Sequence, residues 1–306
     1  MTGMLKIEEK AAEPTVATPG VSLARIMVAT DFSSNADRAL DYAASLARRF
    51  GSRLYVTHVI TFAGHEMMEP DLGAPTDEAL RQMAERKAKA IEDSGRLYGV
   101  PHEMVIEEGT LWPALEMLLE EHKINLLVVG THGLSGPVKA VFGSNAEMMF
   151  RQSAVPVLTV GPGVTEEAPF EEEFRTILFA TDFRPAAERE AALAYAIAQE
   201  HRSVLLLLHV TPFRPGVPHN EALLDRALIT HQLQELVPQG ERKCKPEYHI
   251  AYGEPVSAIL RVAEEARADL IVVGATKDGA LAGHWPGTTA YGVVRGAKCP
   301  VLTVKG

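Results

Sequence analysis

The 306-residue sequence predicts an α/β protein built from two tandem open parallel sheets with helices on both faces. Three observations carry this. The chain repeats itself: Ile26-Met27-Val28-Ala29-Thr30-Asp31-Phe32 returns as Ile177-Leu178-Phe179-Ala180-Thr181-Asp182-Phe183. His58-Val59 returns as His209-Val210, and Pro156-Val157-Leu158-Thr159-Val160 returns unchanged at 300–304. Within each copy, short apolar runs alternate with longer segments of helical period. Those runs, such as Leu126-Leu127-Val128-Val129, lack polar alternation, as parallel strands covered on both faces do.

The elements follow in order. Residues 24–30 read as a strand, and Ser33 or Ser34 then caps a helix that Gly51 ends. Leu40, Ala43, Ala44, Ala47 and Phe50 share one face of that helix. A second strand spans 54–60, and a loop rich in Gly and Pro covers 61–75. Thr76 opens a helix with Leu80, Met83, Ala84, Ala88 and Ile91 as its stripe. A third strand, nearer an edge, spans 102–107, and a helix over 111–122 carries Pro113 in its first turn. Then come a strand at 124–129, a glycine loop, a helix from Ser144 and a strand at 155–160. The second copy gives strands at 175–181, 203–210, 244–250, 269–273 and 300–304, with helices at 185–201, about 220–236, 254–267 and from Thr288. The domains are 21–160 and 174–306. Between them, 161–173 is an acidic linker, and 1–20 reads as a flexible tail.

Composition narrows the function. Hydrophobic and charged fractions of 46% and 23% are those of a soluble globular protein. A net charge of −10 argues against nucleic acid as a partner. Cys244 and Cys299 form no disulfide framework. No signal peptide and no run of membrane-spanning length stands out, so no membrane partner and a cytoplasmic location are expected.

Candidate chemistry gathers where strands end. Leu126–Val129 leads into Gly130-Thr131-His132-Gly133, and Gly143-Ser144-Asn145-Ala146-Glu147 follows as a Ser-x-x-Glu capping box. Glycine turns and a helix start facing one space make a phosphate cradle; they also suit a plain turn with Ser144 as an N-cap. Parallel sheets bind ligands where strand order reverses. If the first and fourth strands of each copy are neighbours, Ala29-Thr30-Asp31 and the Gly130 loop meet at one crevice. There Asp31 can cap its helix or accept hydrogen bonds from an adenine amine or ribose hydroxyls. Val59 can be core or an apolar wall for a base. His132 suits a place beside phosphate better than metal ligation, since no second ligand stands at a metal spacing. His58 and His209 suit local hydrogen bonding. No catalytic residues and no protein metal site are assigned.

Gly130-x2-Gly133-x9-Gly143-Ser144, after an apolar strand and before a helix that ends in Pro-Val-Leu-Thr-Val, resembles the nucleotide loop of universal stress proteins. Val28-Ala29-Thr30-Asp31-Phe32-Ser33 resembles that family's first strand, and the resemblance covers nearly all of 21–306 as two copies. It implies five parallel strands of order 3-2-1-4-5 in each half. It implies ATP, with Mg as companion, held in the first half: Asp31 and Val59 at the adenosine, and Gly130, Gly133, Gly143, Ser144 and Asn145 at ribose and phosphates. Ala29, Thr30, Thr131 and His132 line the same site. It also implies pairing of the two halves through 156–160 and 300–304, a possible homodimer, a role in stress response, and at most slow ATP hydrolysis.

The second copy departs from this pattern. Its counterpart residues are Thr181, Asp182, Val210, Gly274, Lys277, Gly287, Thr288 and Thr289, with Lys277 where Gly133 stands and Tyr291 where Glu147 stands. A lysine cannot cheaply take a positive φ. The second site is therefore expected to be weaker, altered or empty. The alternative reading of the whole chain is a non-catalytic interaction or dimerisation scaffold with vestigial nucleotide sites.

Overall fold

The computed structural model describes residues 22–61, 76–131, 143–161, 163–164, 173–212, 219–238, 242–275 and 288–305. The expected tail, the 61–75 loop after its first residue, most of the linker, and His132, Gly133, Lys277 and Gly287 lie outside these residues.

The first half runs β1 (Arg25–Ala29), α1 (Ser34–Phe50), β2 (Arg53–Ile60), α2 (Asp77–Asp93), β3 (His102–Glu108), α3 (Leu111–Glu121), β4 (Leu126–Gly130), α4 (Ser144–Gln152) and β5 (Val157–Val160). The second half runs β6 (Thr176–Thr181), α5 (Ala187–His201), β7 (Val204–Thr211), α6 (His219–Glu235), β8 (Lys245–Tyr252), α7 (Pro255–Glu265), β9 (Leu270–Ala275), α8 (Thr289–Gly296) and β10 (Val301–Lys305).

Local chemistry sets these boundaries. The Ser33 hydroxyl accepts the Ala36 N–H at 3.2 Å and so caps α1, and Gly51 closes that helix at φ 63°. Thr76 caps α2 through the Ala79 N–H. In α2 the buried stripe is Ala84, Ala88 and Ile91, while Met83, a residue off that line, is 45% exposed. β3 is partly exposed along its whole length, as an edge strand is. The expected capping box at Ser144 does not form. Gly143 is the N-cap of α4 without a side-chain hydrogen bond, Ser144 is already helical, and Glu147 lies near Arg151 instead.

Each half has strand order 3-2-1-4-5, and the halves join edge to edge in one ten-stranded sheet, β3-β2-β1-β4-β5-β10-β9-β6-β7-β8. Pairing is parallel everywhere except between β5 and β10, where Leu158 stands opposite Leu302. The final strands thus satisfy each other's edges within one chain. Helices α1, α2, α5 and α6 share a core layer that runs across both halves, from Ile26 and Leu46 to Phe179 and Leu233. On the other face, Ala146 and Phe150 of α4 pack in one cluster with residues of α7 and α8. The order reverses between β1 and β4, and again between β6 and β9, which places a crevice at the carboxyl ends of those strands.

Candidate functional site

In the first half the chain leaves β1 through a tightly held turn. Thr30 continues the ladder by donating its N–H to the Thr57 carbonyl at 2.9 Å, and its own carbonyl lies 2.8 Å from Nδ1 of His58. The Asp31 carboxylate accepts the Ser33 N–H at 3.0 Å and the Ser33 hydroxyl at 2.5 Å. Asp31 therefore orients the N-cap residue and does not cap the helix itself. Phe32 stands at φ 61°, a left-handed conformation that is costly for a bulky residue, and its ring lies 4.4 Å from His58. Burial lowers the pKa of His58, with Lys87 adding to this and the Thr30 carbonyl and Asp31 opposing it. His58 is thus a half-buried brace for the turn, as its sequence position suggests. Val59 belongs to the core cluster of Trp112 and Leu115, close to the end of β2.

The other wall begins at Gly130. A Cβ there would stand 2.8 Å from the Asn35 carbonyl oxygen, so the glycine is required by the close approach of α1. Thr131, 1% exposed, donates its N–H to the Val160 carbonyl at 3.1 Å. Its carbonyl accepts the Gly143 N–H at 2.8 Å, which holds the start of α4 against the carboxyl end of β4. A Cβ on Gly143 would lie 2.6 Å from that same oxygen. Both glycines are thus explained by protein backbone, and the Gly143 N–H is already in use. Ser144 and Asn145 are exposed at the first turn of α4. The N-cap, Gly143, has no side chain with which to cap this helix, and a helix start of this kind suits an anion.

The second half repeats the turn. Phe183 stands at φ 59°, its N–H bonds the Thr181 hydroxyl at 3.1 Å, and Nδ1 of His209 lies 2.9 Å from the Thr181 carbonyl. The differences lie around it. Nε of Arg184, in place of Ser33, lies 2.6 Å from the Asp182 carboxylate. Thr288 caps α8 by accepting the Tyr291 N–H at 3.3 Å. A cavity of about 380 Å³ opens at the ends of β6 and β9, and Thr181, Asp182, Val210, Gly274, Thr288 and Thr289 line it. Glu190, 3% exposed, lines it too. Its carboxyl lies against Gly274, where a Cβ would meet it at 2.2 Å. Burial pushes the Glu190 pKa up to about 7, Arg184 pulls it down, and Asp182 pushes it up.

The structure thus brings Ala29, Thr30, Asp31, Gly130, Thr131, Gly143, Ser144 and Asn145 to one end of the first half, with Val59 as core beside them. Sequence reasoning missed Glu190 and the Asp182–Arg184 pair. The signal was present in the repeat, because matching Thr181-Asp182-Phe183 to Thr30-Asp31-Phe32 sets Glu190 against the fully buried Ala39. Among the described residues, no group of three or more His, Cys, Asp or Glu could hold a metal ion, and no helix is long and apolar enough to cross a membrane.

The chain matches the model of the Universal stress protein family twice, over residues 23–161 and 173–305. A universal stress protein of Thermus aquaticus is 36% identical over 142 residues, which span 43% of this chain and 99% of that protein. One from Mycolicibacterium smegmatis is 24% identical over 296 residues, 92% of this chain and 96% of its own. The crystal structure of a universal stress protein from Archaeoglobus fulgidus superposes with a TM-score of 0.69 at 21% identity, covering 93% of this chain and 99% of that one, and shares the fold. The two matched segments span nearly all of both sheet halves, so the chain belongs to the universal stress protein family, in tandem form.

Proposed function

We propose that this protein is an ATP-binding universal stress protein acting in stress response and regulation, with nucleotide taken mainly by the first half. The observation that carries this is a contrast between two helix starts. The N-cap of α4 at the crevice is Gly143, which has no side chain to offer the helix start, whereas Thr288 caps its counterpart α8. The N–H groups and dipole of a helix start suit the phosphates of a nucleotide. Asp31, at the strand end and held by Ser33, has further acceptor capacity for an amine or hydroxyl. Mg would arrive with the phosphates, since such an ion keeps most of its ligands from water and phosphate.

In this reading the units are 21–160 and 174–306, joined by 161–173, and the protein is cytoplasmic. Any hydrolysis is slow, because the acid closest to the turn serves to orient Ser33. The buried carboxyl in the second crevice favours a role other than ATP binding for that half. Equilibrium dialysis of Mg-ATP against wild type and Asp31→Ala tests the reading, with affinity expected to fall about tenfold or more. An alanine variant that is folded and binds as tightly as wild type contradicts it.

A further inference from the structure

The two crevices have different floors. In the first half, Gly130 packs against the backbone of Asn35, and the α1 position facing inward is Ala39, 0% exposed. In the second half, Pro185 and Ala186 stand where Ser34 and Asn35 do, and the helix begins only at Ala187. The space this frees against Gly274 is taken by the carboxyl of Glu190. That carboxyl makes no hydrogen bond among the described residues, although the side chain is almost fully buried and lines the cavity. A buried carboxylate without a donor is costly, and a ligand hydroxyl or amine would satisfy it.

We propose that the second crevice binds an uncharged, hydroxyl-bearing ligand of nucleoside type, and that Glu190 is the residue that keeps phosphorylated ligands out. This rests on reading both crevices as nucleotide-type sites. Leu208, Val210, Ile259 and Val273 give the cavity an apolar wall for a flat base. Its volume of about 380 Å³ falls within the range of small-ligand sites. At its polar end a carboxylate can accept hydrogen bonds from ribose hydroxyls, as acidic residues do in dinucleotide folds, where the same group rejects a phosphate. Arg184 lines the cavity too, and the Asp182 carboxylate, 2.6 Å from its Nε, offsets part of its charge for an incoming anion. At the start of α8 the Thr288 hydroxyl already takes the Tyr291 N–H, which removes that donor from an incoming phosphate. Like charges brought together in a part-buried site disfavour binding strongly.

The test is calorimetric titration of the full chain at about pH 8, where Glu190 is ionised. Adenosine is titrated into protein already saturated with Mg-ATP, so that the first half is filled. Wild type is expected to take one ATP and then one adenosine per chain. Glu190→Ala, which copies Ala39, should weaken that adenosine binding about tenfold or more and let a second ATP bind. Glu190→Gln keeps the volume and an acceptor oxygen but not the charge. It should retain adenosine within about threefold and also admit the second ATP, an outcome that a purely structural role does not produce. Two ATP bound to wild type, or adenosine affinity unchanged in Glu190→Ala, overturns the proposal. Loss of ATP from the first half, with Glu190-dependent adenosine binding intact, refutes the proposed function alone.

Discussion

At the scale of single residues, the informative contrast is between Ala39 and Glu190, which hold matching places in the two halves. Glu190 has a folded pKa of about 7 against an ordinary value of 4.5, chiefly because burial disfavours its charge. Its folded form therefore holds a proton that the unfolded chain has released. The stability this gives is present in full below about pH 4.5 and is lost as pH rises through 7. Glu190→Gln should accordingly be more stable than wild type at pH 8, by on the order of 2–3 kcal/mol, with the difference shrinking towards pH 4.5. Urea melts across that range check the sign, and a difference that grows on acidification contradicts it. Such melts must be read as differences between the two proteins, since His201 acts in the opposite sense. Burial lowers its pKa to about 4, with Arg49 adding to this, so its contribution is lost as pH falls below 6.5. Helical period alone marks neither group as titratable core, and only the repeat pointed to Glu190 through its match to Ala39. Both lie on α5, whose polar residues suit a solvent face, and the tertiary fold shows that these two turn inward.

At the scale of elements, strands and helices were readable almost throughout, because apolar period and caps act locally. Ser33, Thr76 and Gly51 end their helices as their chemistry dictates. The capping box at Ser144 failed because the chain enters α4 from a backbone bond between Gly143 and Thr131, which makes Gly143 the N-cap. The left-handed Phe32 and Phe183 were also illegible, since a bulky residue argues against that conformation. Their own N–H groups donate to the hydroxyls of Thr30 and Thr181, and ring contacts with His58 and His209 add to the hold. The two serines now separate by role. Ser33→Ala should cost about 1 kcal/mol through the lost cap. Ser144→Ala should change stability by less than about 0.5 kcal/mol yet weaken ATP binding. Thermal melts and ATP titrations of both variants check this, and the reverse pattern would assign Ser144 to capping.

At the scale of the whole molecule, the repeat proved the strongest signal in the sequence. It gave two like units, and identical Pro-Val-Leu-Thr-Val strands at their ends come together as the antiparallel seam of one sheet. The seam joins units that share a turn but differ in what fills the crevice beyond it. The two halves share one sheet yet differ at matching positions, as the 0% exposed Ala39 and 3% exposed Glu190 show. Native mass spectrometry of the intact chain with excess Mg-ATP counts the outcome. One ATP per chain is expected. No bound ATP contradicts nucleotide binding by the first half, and two per chain contradict the exclusion of phosphate by Glu190.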